Sequence, residues 1–427
     1  MQMIDSLAEV RAEIGKCMKC GNCQSVCPIY QETRHETGVA RGKITLVEAF
    51  LSGELALTEK LENLLSLCLV CKSCVINCPC GVKLDKIVLG ARAEIAKRKG
   101  LPLIKKAIFG TMKRPRYMDF GLKLGSRFQG LVFRRHEDRE ANYPRFSIGM
   151  SLRRIIPPLA VLPFRQVVPE RLVVQKPRLK VAFFTGCAIN YLYPDIGIST
   201  VNVLTRNNIE VIIPKAQHCC GTPVLAHGDV STARQMAVSN LIILKSLEVD
   251  AIVTSCASCG GALKHEYGEL LSDRSQKKLA LEIGARVYDI NEFLTEVAGF
   301  EKPKGDVPLR VTYHDPCHMV KVQQVTEPPR QVLRSIPGLE FVEMAKPDRC
   351  CGNGGSFSLQ YYDLSMDITG KKMNDIKNTG TDLIVTSCPG CRMQLEDGAN
   401  RYGLPHRVVH TVQLLDQAYR NHKQTDK

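Results

Sequence analysis

No apolar run in this 427-residue chain approaches the roughly 20 residues that a membrane-spanning helix needs. The longest candidate, Ile155 to Val168, is interrupted by Pro157, Pro158 and Pro163 and carries Arg165. The opening residues MQMIDSLAEVRAEIGKC contain no apolar h-region, so no signal peptide is expected and the chain reads as cytoplasmic. There is no GxGxxG, no Walker A sequence and no other flavin or nicotinamide fingerprint. Pro and Gly are not enriched enough to suggest disorder, and 44% hydrophobic with 24% charged residues is an ordinary globular composition. The length alone suggests about three domains.

Two further shortages coincide in one stretch. Residues 100–178 hold no cysteine, and Lys97 to Lys180 holds only 5 Asp and Glu against 21 Lys and Arg. This segment accounts for the whole net charge of +15. A nucleic-acid binder would normally add an aromatic platform or a recognisable module, so no nucleic-acid partner is expected. The remaining readings are a basic surface that docks on anionic lipid or an acidic partner subunit, at the inner face of a membrane, and a solvated helical linker.

What is abundant is cysteine: nineteen residues, with no export signal to bring them into an oxidising compartment. Such usage points to metal ligation or catalysis rather than to disulfides. The runs Cys17-x2-Cys20-x2-Cys23-x3-Cys27-Pro28 and Cys68-x2-Cys71-x2-Cys74-x3-Cys78-Pro79 have the spacing of a two-cluster ferredoxin. In that arrangement three thiolates of one run hold one [4Fe-4S] cube and the fourth reaches the other. One cube is therefore assigned to Cys17, Cys20, Cys23 and Cys78, and the second to Cys68, Cys71, Cys74 and Cys27. Four-cysteine zinc sites use two separated CxxC pairs, which this pattern does not match. Cys80 reads as a bystander. Between and after the runs, Val39 to Leu51 and Leu84 to Lys97 have apolar positions at helical spacing.

The last 250 residues repeat themselves. Cys187, Cys219–Cys220–Gly221, Cys256 and Cys259 recur as Cys317, Cys350–Cys351–Gly352, Cys388 and Cys391, with gaps of 32, 37 and 3 residues against 33, 38 and 3. VAFFTGC and VTYHDPC both read as a strand running into cysteine, as do VDAIVTSC and TDLIVTSC. Strands alternating with helical segments predict a parallel sheet in each copy, with the cysteines at the carboxyl ends of the strands. Five cysteines exceed what a cube needs. An opened-out cluster bridged by a thiolate would use all five; an ordinary cube with a spare thiol and a zinc or vicinal-disulfide site are the other readings. Gly221 and Gly352 permit the tight turn that brings two adjacent side chains to one centre.

This pattern resembles the family in which a two-cluster ferredoxin domain is fused to two CCG domains. Its members include iron-sulphur subunits of glycolate oxidase, D-lactate dehydrogenases and anaerobic glycerol-3-phosphate dehydrogenase, and the catalytic subunit of membrane-bound heterodisulfide reductase. The resemblance implies an α+β multidomain fold: an N-terminal all-α ferredoxin domain (1–100), a basic helical linker (101–177), and two repeated α/β CCG domains (178–305 and 306–427). It implies two cubane clusters and one or two further, non-cubane [4Fe-4S] clusters, held by Cys187, Cys219, Cys220, Cys256 and Cys259 and by Cys317, Cys350, Cys351, Cys388 and Cys391. The function implied is electron transfer from a flavoprotein dehydrogenase acting on a 2-hydroxyacid such as glycolate or D-lactate, toward quinone or another acceptor, with a quinone-reactive membrane partner. The alternative is disulfide reduction at paired clusters, which two complete repeats favour.

Beside the ligands, His218 and Arg349 precede the two CCG motifs and are candidates for offsetting cluster charge. His314 and His318 flank Cys317 as candidate proton donors or supporting groups. Gly352 to Gly355 (GNGG) reads as cluster-loop packing rather than a phosphate loop.

Overall fold

A computed structural model describes residues 7–425. The N-terminal domain is all-helical. Ala40–Ser52 and Leu84–Lys99 form where the apolar spacing places them, and they pack with Leu7–Ile14 and Glu59–Ser66. Their buried faces meet in a core of its own, built on Val10, Ile44, Val47, Phe50, Leu65, Ile87 and Val88. The helices Leu103–Met112 and Pro115–Val132 follow and pack against each other; the second begins on a proline, which suits the first helical turn. A two-stranded hairpin comes next, β1 (Phe133–Arg135) and β2 (Asn142–Pro144).

The two repeats build two sheets. The first contains β3 (Arg171–Leu172), β4 (Leu179–Phe183), β5 (Ile209–Ile212), β6 (Ala251–Thr254) and β7 (Val287–Asp289), in the order β3-β5-β4-β6-β7. The second contains β8 (Arg310–His314), β9 (Glu340–Phe341), β10 (Leu383–Thr386) and β11 (Arg407–His410), in the order β11-β10-β8-β9. Each copy therefore puts its first strand between its second and third, and all pairs within the repeat are parallel. The first sheet differs by an antiparallel edge strand, β3, supplied by the segment read as a linker. Strands buried on both faces explain the unbroken apolar runs in the sequence: β6 is buried at every residue. One continuous core runs through both sheets. A small cluster of Ile29, Leu69, Phe357 and Ile368 joins the helical domain to the second repeat. No helix among the described residues is long and apolar enough to cross a membrane.

Candidate metal centres

The two ferredoxin-type runs fold into the same loop. Lys19 and Val70, two residues after the first cysteine of each run, have φ of 59° and 52°; Gly21 and Lys72, one residue after the second cysteine, have φ of 88° and 60°. A β-branched residue such as Val70 adopts left-handed backbone only where the surroundings impose it, at a cost of about 1–3 kcal/mol. The repeated turn points successive cysteines of a run toward one centre. One small cavity is lined by Cys17, Cys20, Cys23 and Cys78, with Cys74 and Cys80 at its margin. A second is lined by Cys27, Cys68, Cys71 and Cys74. The fourth cysteine of each run lies in the other run's cavity.

In the repeats the strand ends deliver the thiols. Cys256 and Cys388 cap the helices that follow β6 and β10 with nearly the same backbone, φ −144° and ψ 109° against φ −144° and ψ 120°. A helix N-terminus favours a negatively charged centre. Cys187 Sγ lies 3.8 Å from Cys219 Sγ, and Cys351 Sγ lies 3.7 Å from Cys391 Sγ. Cys220 neighbours Cys219 and Cys259, while Cys388 neighbours Cys391 and, across the repeat, Cys256. Nine of the ten repeat cysteines line one cavity of about 340 Å³ together with Cys68 and Cys71 of the helical domain. The tenth, Cys219, lies behind it with Cys187 and His218. All nineteen cysteines are free, so neither vicinal pair is joined.

The donor set suits iron-sulphur centres. Burial, with smaller contributions from neighbouring thiolates, pushes Cys27 and Cys317 each up to about 12 and Cys74 well above an ordinary thiol. Buried thiols this crowded ionise together only beside a cationic metal. His314 is 1% exposed; neither ring nitrogen bonds an oxygen or nitrogen of the protein, and its interaction is with the Cys351 thiol. One ring nitrogen lies within 4.8 Å of both Cys351 Sγ and Cys391 Sγ. A buried imidazole beside thiolates is what a sulphur-rich centre would engage.

The other expected supporting residues divide. His318 Nδ1 is 3.5 Å from Cys317 Sγ. His218 shares a small cavity with Cys187 and Cys219, and burial lowers its pKa. Arg349 turns away from Cys351. It pairs with Asp375 at 2.9 Å and faces an open groove with Cys20 and Arg41. Asn353, Gly354 and Gly355 of the GNGG stretch line the central cavity.

Three cations were not anticipated. Lys43 Nζ is buried beside the second ferredoxin cavity and donates to Leu64 O at 2.7 Å and Thr37 O at 3.1 Å. It lies with Ala40, Ile44 and Val47 on the buried stripe of its helix, so its helical position was the available signal. Lys321 donates to Ser73 Oγ at 2.6 Å. Burial opposes its charge, but Cys71, Cys317 and Cys350 outweigh that and raise its pKa. Nothing in the local sequence announces this role. Arg92 donates through Nη2 to Leu65 O, Ser66 O and Cys68 O at 3.2, 3.0 and 2.9 Å, and through Nη1 to Ala226 O at 3.0 Å. It clamps the approach to Cys68 against the first repeat. Arg92→Lys keeps the charge but loses the planar fork. It should cost about 2–4 kcal/mol through orphaned carbonyls and should lower iron occupancy at Cys68 before it affects the Cys17 site, as read by iron analysis and electron paramagnetic resonance.

Comparison with known proteins agrees with this architecture. Residues 13–82 match the 4Fe-4S dicluster domain, and residues 181–264 and 311–396 each match the cysteine-rich CCG domain. A probable glycolate oxidase iron-sulfur subunit of Bacillus subtilis is 32% identical, over 95% of this chain and 94% of its own length. A dihydromethanophenazine:CoB–CoM heterodisulfide reductase subunit of Methanosarcina acetivorans is 26% identical over the same shares, 95% and 94%. Lactate utilization protein A 1 of Bacillus mycoides is 32% identical over 56% of this chain and 97% of its own length.

Proposed function

The chain belongs to the glycolate oxidase-type family of iron-sulphur subunits with a dicluster domain and two CCG domains, and from that premise we propose that it is the electron-transfer subunit of a flavin-linked 2-hydroxyacid dehydrogenase. Its partner is a flavoprotein that oxidises glycolate or D-lactate, and its acceptor is a quinone or quinone-reactive membrane protein at the cytoplasmic face. Two cubane clusters would be held by Cys17, Cys20, Cys23 and Cys78 and by Cys27, Cys68, Cys71 and Cys74. Two non-cubane clusters would be held by the five cysteines of each repeat. When bound, such clusters accept and release single electrons.

The observation that carries this reading is the continuous file of thiols. Cys20 is exposed at one end. Cys74 lines both ferredoxin cavities, Cys68 and Cys71 line the second of these and the central cavity, and that central cavity also holds Cys256 of the first repeat and Cys350 and Cys388 of the second. Lys321 places positive charge along this file, where Cys71, Cys317 and Cys350 favour it, and Lys43 lines the second ferredoxin cavity, although burial lowers its pKa. Leu69, Phe357 and the apolar cores of both repeats pack beside its inner half.

The test is anaerobic purification with co-purifying partners, followed by dye-linked assays with glycolate, D-lactate, L-lactate, glycerol 3-phosphate and a mixed-thiol disulfide. Hydroxyacid-dependent dye reduction that requires a flavoprotein partner is expected. Disulfide reduction without hydroxyacid activity would replace this reading with the second one, a disulfide reductase. That alternative draws on one observation: both sets of repeat cysteines line a single cavity, with Cys256 beside Cys388.

A further inference from the structure

Helix Pro115–Val132 shows a broad apolar stripe to the outside. A surface helix normally buries its apolar face and shows water its polar one. Here the inner face mixes half-buried Met118 and Leu122 with polar groups: Asp119 accepts from the Tyr191 hydroxyl at 2.7 Å, Ser126 is buried, and Gln129 accepts from Leu159 N at 3.0 Å. The outer face carries Tyr117, Phe120, Leu124, Phe128 and Leu131, with Phe120 and Leu131 both 71% exposed. At 3.6 residues per turn these five fall within an arc of about 80°, and Arg116, Lys123 and Arg127 line one edge of it.

The neighbouring helix continues the surface. Leu103 and Ile104 are 81% and 76% exposed, while Phe109 on the other side packs against the His227 ring at 5.6 Å. Fifteen of the 24 exposed large apolar side chains among the described residues fall between Leu103 and Val173, inside the segment that carries the chain's positive charge. Between Leu103 and Val132 there are seven Lys and Arg and one acid, Asp119, which faces inward.

We propose that the helical hairpin Leu103–Val132 is an interfacial dock that lies flat in the anionic leaflet of a membrane, its apolar stripe among the acyl chains and its cations at the phosphates. Charge complementarity and shape favour lipid over an acidic protein. The stripe stands on a convex helix, and flanking Lys and Arg keep their stems on the apolar surface while their heads reach the phosphates. Protein interfaces are depleted in lysine instead. The proposal deepens the membrane-linked reading above by naming the surface that delivers the chain to its acceptor, although the surface itself is derived without that reading.

The experiment is sedimentation of the purified, cluster-loaded full chain with vesicles of phosphatidylcholine alone or mixed with phosphatidylglycerol, at low and high salt. Partition onto the mixed vesicles, weakened by salt, is expected. The F120E/L124E/F128E chain should lose roughly tenfold or more in partition. R116Q/K123Q/R127Q should lose roughly fivefold per cation, on the mixed vesicles only. All six side chains are exposed, so both variants should keep cluster absorption and dye-linked activity. Absence of partition, equal partition onto both vesicle types, or unchanged partition of the apolar variant would each overturn the proposal. Vesicle binding needs no substrate, so failure of the hydroxyacid assay leaves this result to be read on its own.

Discussion

A Cys351→Ser chain is expected to purify with about four fewer iron atoms than the parent, whereas Cys80→Ser should lose none. Cys351 is buried, 3.7 Å from Cys391 Sγ, and grouped with His314. Its position among the second set of repeat thiols leaves no substitute of the same chemistry, because a serine hydroxyl stays protonated where a thiolate must bind. Cys80 lines the first ferredoxin cavity, but in the ligand assignment proposed above Cys17, Cys20, Cys23 and Cys78 would suffice for a cube there. Hydroxyacid-dependent dye reduction by the Cys351→Ser complex should fall by more than the roughly 10–100-fold typical of losing a residue that merely supports a metal site. Iron and acid-labile sulphide analysis on anaerobically purified protein checks both variants. Full iron content in Cys351→Ser would remove Cys351 from the ligand set, and a loss in Cys80→Ser would add Cys80 to it.

The second large effect separates two glycines that look equivalent. Gly221 and Gly352 follow the two vicinal cysteine pairs with φ of 88° and 90°, so alanine at either position carries a left-handed penalty of about 1–2 kcal/mol. At Gly221 an added methyl meets nothing closer than 3.5 Å. At Gly352 it would sit 2.5 Å from Ser365 O and 2.5 Å from Thr369 Oγ1. Those atoms belong to a network that orders the motif. Ser365 Oγ donates to Gly352 O at 2.9 Å, Thr369 Oγ1 donates to Cys351 O at 2.7 Å, and Gln394 donates to both hydroxyls. Gly352→Ala must displace helix Tyr362–Lys377, at a further cost of about 1–3 kcal/mol. It should shorten the thermal inactivation half-life and empty the second repeat of iron, while Gly221→Ala retains its iron. Equal behaviour of the two variants would show that the turn, and not its neighbour, sets the tolerance.

These two cases mark where sequence reading ends. The Cys17 and Cys68 runs have fixed local spacing, and a metal centre is a short-range demand on the chain, so the sequence alone suggests that Cys27 and Cys78 change places, and each does line the other run's cavity. The repeat was legible for a similar reason. The strands β6 (AIVT) and β10 (LIVT) are buried almost throughout and are written as short apolar runs, while β4 (LKVAF) and β8 (RVTYH) carry polar residues as well; each of the four ends two to four residues before a cysteine. The repeat symmetry stops where tertiary neighbours differ. His218 and Arg349 hold equivalent places in the repeat, yet Arg349 faces Asp375 and a groove beside Cys20 because the helical domain packs against the second copy.

By itself, then, the sequence determined the repeat, the order of the ferredoxin-type and CCG domains and the parallel sheets, because spacing and hydrophobic period act within one segment of chain. Only the tertiary structure decided that the two repeats share a cavity, that Lys43, Arg92 and Lys321 stand beside the thiols, that Gly352 admits no methyl, and that Pro115–Val132 shows its apolar face to the outside. Each of these depends on contacts between residues far apart in the chain. Such contacts are set by which surfaces bury the most apolar area and satisfy the most polar groups at once, and no local pattern records that balance.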